Sequence, residues 1–263
     1  MKTIRIDYHS GTGGSEMIAK LLANILNTHN IHIDVRRIFR ENIVNTQILD
    51  IDYYILIFPV HSFSAPLPVY EWVAHLEGNH CNTAVISVSG GGNILSISAS
   101  RYKTVKLLQK SQCNIIYEAM VRMPNNWVKV PDKEEIKRLL SNLPAVIDKI
   151  AKDILTEKNE KQPIYWIDYL ISALGEVEKR GTKKFGNRIK VLDNCVGCGL
   201  CSQNCCSSNI IMEDQNSRDR PAKPIFGNRC DMCLGCIYNC PQKAILPIWG
   251  AFQVDKKGYN LPY

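Results

Sequence analysis

No stretch of the 263-residue chain approaches the roughly 20 consecutive apolar residues of a membrane-spanning helix. The opening Met1-Lys2-Thr3-Ile4-Arg5-Ile6 leads at once into polar residues and glycines, so no export signal is expected there. No internal repeat is visible outside one cysteine-rich region. These absences set aside an integral membrane protein and a solenoid. They also change how the eleven cysteines read, nine of which fall between Cys195 and Cys240. Dense cysteine without an export signal points away from disulfides and toward metal chemistry in a reducing, cytoplasmic setting.

The net charge of +7 is unevenly spread. Residues 1–124 carry a net +2, residues 125–190 a net +4 and residues 191–263 a net +1. A bare basic excess suggests an acidic partner such as nucleic acid. Thiolates around metal and a bound phosphate would offset most of it, so no nucleic-acid partner is expected.

Short β-rich runs alternate with helical patterns over residues 1–124. Strands are expected at Ile4–Tyr8, Ile31–Arg36, Tyr53–Phe58, Thr83–Ser89 and Asn114–Ala119. Tyr53–Phe58 is apolar throughout, as in a strand buried on both faces, whereas Ile31–Arg36 alternates like an edge strand. Met17, Ile18, Leu21, Leu22, Ile25 and Leu26 mark a first helix. Pro68–Leu76 and Ser98–Gln109 give two more. Such alternation predicts a doubly wound parallel α/β sheet. Residues 132–160 predict a helix capped by Asp132. Residues 163–180 predict another with Ile164, Trp166, Ile167 and Leu170 apolar, either packing between domains or facing a partner or membrane. Lys179–Lys190 reads as a basic linker.

The cysteines form two runs, Cys195-x2-Cys198-x2-Cys201-x3-Cys205 and Cys230-x2-Cys233-x2-Cys236-x3-Cys240-Pro241. Three thiolates at three-residue intervals can wrap three corners of an iron–sulfur cubane in one loop. Zinc sites, the competing reading, more often use separated Cys-x2-Cys pairs. The pattern resembles bacterial two-cluster ferredoxins from about Asp193 to Leu246, including the ending Cys240-Pro241-Gln242-Lys243-Ala244-Ile245. That resemblance implies two [4Fe–4S] clusters with crossed ligands: Cys195, Cys198, Cys201 and Cys240 on one, Cys230, Cys233, Cys236 and Cys205 on the other. Where the family usually has Cys-Pro, this chain has Cys205-Cys206, and Cys206 is either a bystander or a spare ligand. Glu213–Pro224 reads as an inserted polar loop.

Ser10-Gly11-Thr12-Gly13-Gly14-Ser15 follows the first strand and opens the first helix. Glycines permit a tight turn with inward N–H groups, and the helix N-terminus favours an anion. The loop holds hydroxyls and no lysine or arginine. It is neither a Walker motif nor a dinucleotide fingerprint, and it suits a phosphate monoester. In this setting residues 1–155 resemble flavodoxins. The resemblance implies strand order 2-1-3-4-5 and FMN at the carboxyl ends of the strands. It places Pro59, Val60, His61, Ser62 and Phe63 after strand three beside the flavin, with Ser89, Gly90, Gly91, Gly92 and Asn93 after strand four and Asn126 and Trp127 after strand five. His61 reads equally as a loop histidine and Trp127 as a packing residue. Cys81 and Cys113 read as bystanders.

The combination resembles flavodoxin–ferredoxin fusion proteins of anaerobes, the EFR family of ferredoxins. It implies a flavodoxin-like FMN domain over residues 1–160, a helical linker over 161–190 and a two-cluster α+β ferredoxin domain over 191–263. The expected function is electron relay between two [4Fe–4S] clusters and FMN, to or from a redox protein partner. The alternative is an FMN-dependent reductase of a small organic substrate, with His61 or a tyrosine near the flavin as proton donor. No catalytic residue is needed for the carrier, and a homodimer stays open.

Overall fold

Apolar runs become strands where the sequence places them. The computed structural model describes residues 2–43, 46–48, 50–61, 63–91, 99–125, 131–214 and 221–246. Five parallel strands, β1 (Thr3–Tyr8), β2 (His32–Arg37), β3 (Tyr53–Pro59), β4 (Asn82–Ser89) and β5 (Asn114–Arg122), are ordered β2-β1-β3-β4-β5. This is the flavodoxin-like doubly wound sheet. Its helices are α1 (Gly14–Asn27), α2 (Leu67–Ala74), α3 (Ala99–Lys110) and α4 (Lys133–Leu155).

Strand β3 shows why both faces must be apolar. Tyr53, Ile55 and Ile57 enter the core under α1 and α4, while Tyr54, Leu56 and Phe58 enter the one under α2 and α3. Every one of these side chains is fully buried. Edge strand β2 is half-exposed along its length. Helix α4 begins where expected, with Asp132 Oδ1 accepting the Glu135 N–H at 2.8 Å, and turns Leu143, Ile147, Ile150 and Ile154 onto the sheet.

One sheet face also buries charge. Arg5 Nε donates to Asp7 Oδ1 at 2.8 Å, and Tyr54 Oη and Trp72 Nε1 donate to Asp7 Oδ2 at 2.8 and 2.9 Å. Burial pushes the Asp7 carboxyl above its ordinary value despite these partners. Both Asp7 oxygens are thus bonded, which offsets part of the cost of burying the pair. It fixes the end of β1 just ahead of the glycine loop.

Helix α5 (Trp166–Gly186) departs from expectation twice. It continues through most of the segment read as a linker. It also packs on α3 through a polar side: Asp168 and Ser172 are buried, while Trp166 is 76% and Leu170 48% exposed. The cause lies in α3. Arg101 is buried and donates to Glu118 Oε2 at 3.0 Å, and Asp168 adds further negative charge toward it. Burial depresses the guanidinium below its ordinary value even with these carboxylates beside it, so negative partners are favoured on the packed side. The Tyr102 and Tyr169 rings meet edge to face at 6.1 Å.

The cysteine region contains β6 (Lys190–Val191), α6 (Leu200–Gln203), β7 (Ile210–Glu213), β8 (Lys223–Phe226), α7 (Gly235–Tyr238) and β9 (Ile245–Leu246). β6 pairs with β9 and β7 with β8, both antiparallel. Both ends of the expected inserted loop are therefore strand, Glu213 in β7 and Lys223 and Pro224 in β8, and residues 215–220 between them lie outside the described residues. Phe185 from α5 joins Leu234, Ile237 and Ile245 in a small core.

Candidate functional site

The glycine loop joins β1 to α1. Gly13 caps the helix in the left-handed conformation, φ 96°, which glycine adopts without strain. Ser10 Oγ accepts the Gly13 N–H at 3.1 Å. The Ser15 hydroxyl is buried without a hydrogen-bond partner. A cation missed in the sequence backs the loop: Arg37, paired beside Tyr8 at the end of β2, donates to the Ser10 carbonyl at 2.9 Å. Its signal was the strand order, which sets the end of strand two against the end of strand one.

This loop borders a cavity of about 260 Å³ at the carboxyl ends of the strands. Ser10, Gly11, Thr12, Gly14 and Ser15 form one side. Pro59, Val60 and His61 come from the loop after β3, and Ser89, Gly90 and Gly91 from the loop after β4. Met123, Pro124 and Asn125 come from the end of β5. Gly90 is required sterically, because a Cβ there would lie 2.7 Å from Asn125 Cα. Phe63 is not among the lining residues and is 52% exposed. Ser62, Gly92, Asn93, Asn126 and Trp127 lie outside the described residues. Asn125, one position before the expected asparagine, takes part.

Two histidines stand close by. His61 Nδ1 lies 3.4 Å from Asp231 Oδ2, near enough for charge attraction but not aligned as a hydrogen bond. His9 is fully buried, neither ring nitrogen has a hydrogen-bond partner, and burial pushes it down to about 4. Burial alone would raise the Asp231 carboxyl, but His61 and His9 hold it below its ordinary value.

The cysteines gather in the crossed quartets. Cys205, Cys230, Cys233 and Cys236 surround a small cavity of about 30 Å³. Cys195, Cys198, Cys201 and Cys240 surround a second of about 20 Å³. Burial pushes the Cys230 thiol up to about 12, and Cys233 and Cys236 are raised as well. Among the described residues no three His, Cys, Asp or Glu side chains form a site for a single metal ion. Cys81 and Cys113 belong to the core under α2 and α3. Cys206 turns away from both quartets: it is buried, its thiol donates to the Ser10 carbonyl at 3.4 Å, and Arg37 Nη2 approaches its sulfur at 3.5 Å.

The two halves meet at the glycine loop. Asp231, Met232, Cys233 and Leu234 line both the larger cavity and that of the Cys205, Cys230, Cys233 and Cys236 quartet. A Cβ on Gly11 would lie 2.6 Å from Cys233 Cβ, and one on Gly235 would lie 2.7 Å from the Gly11 carbonyl oxygen. Asn239 Nδ2 donates to the same carbonyl at 3.3 Å. Two glycines, one from each side, allow this approach.

No protein-family model and no curated protein matches the chain. Among solved structures it is similar to a Streptococcus pneumoniae flavodoxin, at 18% identity over 56% of this chain and 99% of that one, with a TM-score of 0.37. It is also similar to flavodoxin 1 of Bacillus cereus, at 16% identity over 56% and 98% with a TM-score of 0.37. An azoreductase from Bacillus anthracis is 9% identical over 58% and 100%, with a TM-score of 0.46.

Proposed function

We propose that this protein is an electron-transfer iron–sulfur flavoprotein, with an FMN unit over residues 1–160, a helical bridge over 161–190 and a unit for two [4Fe–4S] clusters over 191–263. The observation that carries the reading is the shared wall: Asp231–Leu234 borders the glycine-loop cavity on one side and a cysteine quartet on the other. Two cofactors held on either side of these four residues would be close enough to exchange electrons.

The residues fit these groups. The glycine loop offers a helix N-terminus and the buried, unpartnered Ser15 hydroxyl to a phosphate. Gly90 and Gly91 give a flat ring close access to backbone. Each cysteine quartet supplies the four thiols that one cubane takes. FMN exchanges one or two electrons and a cluster one, so a chain with both joins one-electron and two-electron carriers.

The chain's own residues do the rest. Thr12 and Ser15 hold the phosphate end, and Arg37 steadies the loop through the Ser10 carbonyl. Met232 and Leu234 keep water from the gap beside Cys233. Of the eleven cysteines only Cys198 is exposed, so its quartet is the port to a redox protein partner. Val196 and Leu200, which line the same small cavity, are exposed apolar side chains. The carrier is favoured over a reductase because the cysteine loop itself closes one wall of the flavin cavity.

Anaerobic protein is expected to hold about eight iron, eight sulfide and one FMN per chain. When a low-potential donor reduces it, FMN should be reduced at a rate independent of protein concentration. Stoichiometric zinc without sulfide, or a rate that scales with concentration, overturns the reading.

A further inference from the structure

Helix α2 has no cap of its own. Its N-cap residue is Pro66, whose side chain accepts no hydrogen bond. An uncapped first turn leaves backbone N–H groups without acceptors. The acceptor comes from 164 residues further along: Asp231 Oδ1 takes the Leu67 N–H at 3.1 Å. The other oxygen of that carboxylate faces His61 Nδ1 at 3.4 Å. One buried side chain thus engages both ends of the segment from His61 to Leu67. Between them the turn is closed by reciprocal backbone bonds, His61 N–H to Ser64 O at 2.9 Å and Ser64 N–H to His61 O at 3.0 Å. His61 and Asp231 both line the 260 Å³ cavity.

Asp231 lies between Cys230 and Cys233, so by sequence it belongs to a metal-binding loop. We propose that it is a positioning residue of the flavin cavity: by capping α2 from the cysteine region it holds the His61–Leu67 segment in the shape that binds FMN. The occupant rests on the function proposed above. The capping role rests on the Leu67 contact alone. Because the cap comes from a distant part of the sequence, flavin affinity depends on a residue that no flavodoxin-like unit standing alone would possess.

The test uses the full chain, loaded with iron and sulfide under anaerobic conditions, as wild type, Asp231→Ala and Asp231→Asn. Free FMN is titrated in, with flavin fluorescence and flavin circular dichroism as readouts. Asparagine keeps an oxygen that can accept the Leu67 N–H; alanine does not. Asp231→Ala is expected to weaken FMN binding roughly five- to tenfold with its iron content unchanged, the size of a lost helix cap, and to alter the flavin dichroism. Asp231→Asn is expected to restore affinity to within about twofold. Wild-type affinity in the alanine variant overturns the proposal. So does equal weakening in both variants, which would make the charge and not the cap responsible. So does loss of iron from the alanine variant, which would make Asp231 a support of the cysteine loop. A wild type that binds no FMN removes the function itself, an outcome separate from these three.

Discussion

His9 and Cys206 show what single buried groups do beside the glycine loop. Burial holds His9 down to about 4 from an ordinary 6.5. The unfolded chain takes up a proton near 6.5, and the folded one not until about 4. Stability from this group is therefore full above 6.5 and is lost as pH falls toward 4, by about 3 kcal/mol in all. Thermal melting should fall more between pH 7 and pH 5 for wild type than for His9→Leu; identical slopes would show that another group governs the acid side. Cys206 makes a different point. Its neighbour Cys205 joins the cysteine cavity, while Cys206 bonds to the glycine loop. Cys205→Ser should lose the cluster held with Cys230, Cys233 and Cys236, and Cys206→Ser should keep both. EPR of the reduced variants separates the outcomes, and equal losses would make Cys206 a ligand.

Elements show where sequence is legible. Tyr53–Phe58 announces a central strand because every residue is apolar, and Asp132 announces a helix start because its carboxylate has an amide to accept. Helix α5 was harder. Basic residues with glycines imitate a linker, and only the buried Arg101 explains why its polar side packs inward. Docking of the two units was expected, but the residues that make the contact were not legible. Ser10 with Cys206, Gly11 with Asn239 and Leu67 with Asp231 are pairs joined only by folding, and no local pattern marks them. The loop and α7 test that contact as elements. Gly235 faces the Gly11 carbonyl at a distance that leaves no room for a methyl group. Gly235→Ala should push the glycine loop and the cysteine loop apart at an overpacking cost of about 1–3 kcal/mol. FMN affinity should drop although the residue is far from the phosphate loop in sequence. Flavin fluorescence titration reads this, and unchanged affinity would mean the two loops move independently.

The whole molecule is graded from an open end to a closed one. Cys198 is exposed with Val196 and Leu200 beside it, whereas no cysteine of the Cys205, Cys230, Cys233 and Cys236 quartet is exposed, and Cys233 abuts the glycine loop. Oxygen or a chelator should therefore strip the Cys198 quartet first. Iron should pass through a stage near four per chain while the FMN signal stays intact. Simultaneous loss of all iron would show that the quartets are equally open. Among the described residues no helix is long and apolar enough to cross a membrane. The wall at Asp231–Leu234 also sets an order of events at the ribosome. The sheet and glycine loop are complete within the first 125 residues, yet one side of their cavity is translated more than 100 residues later. A nascent chain halted before Cys230 would carry a half-open flavin site. On the function proposed above, cofactor loading would wait on residues 231–234: the cavity gains its last wall only after the cysteine loop has been made and folded against it.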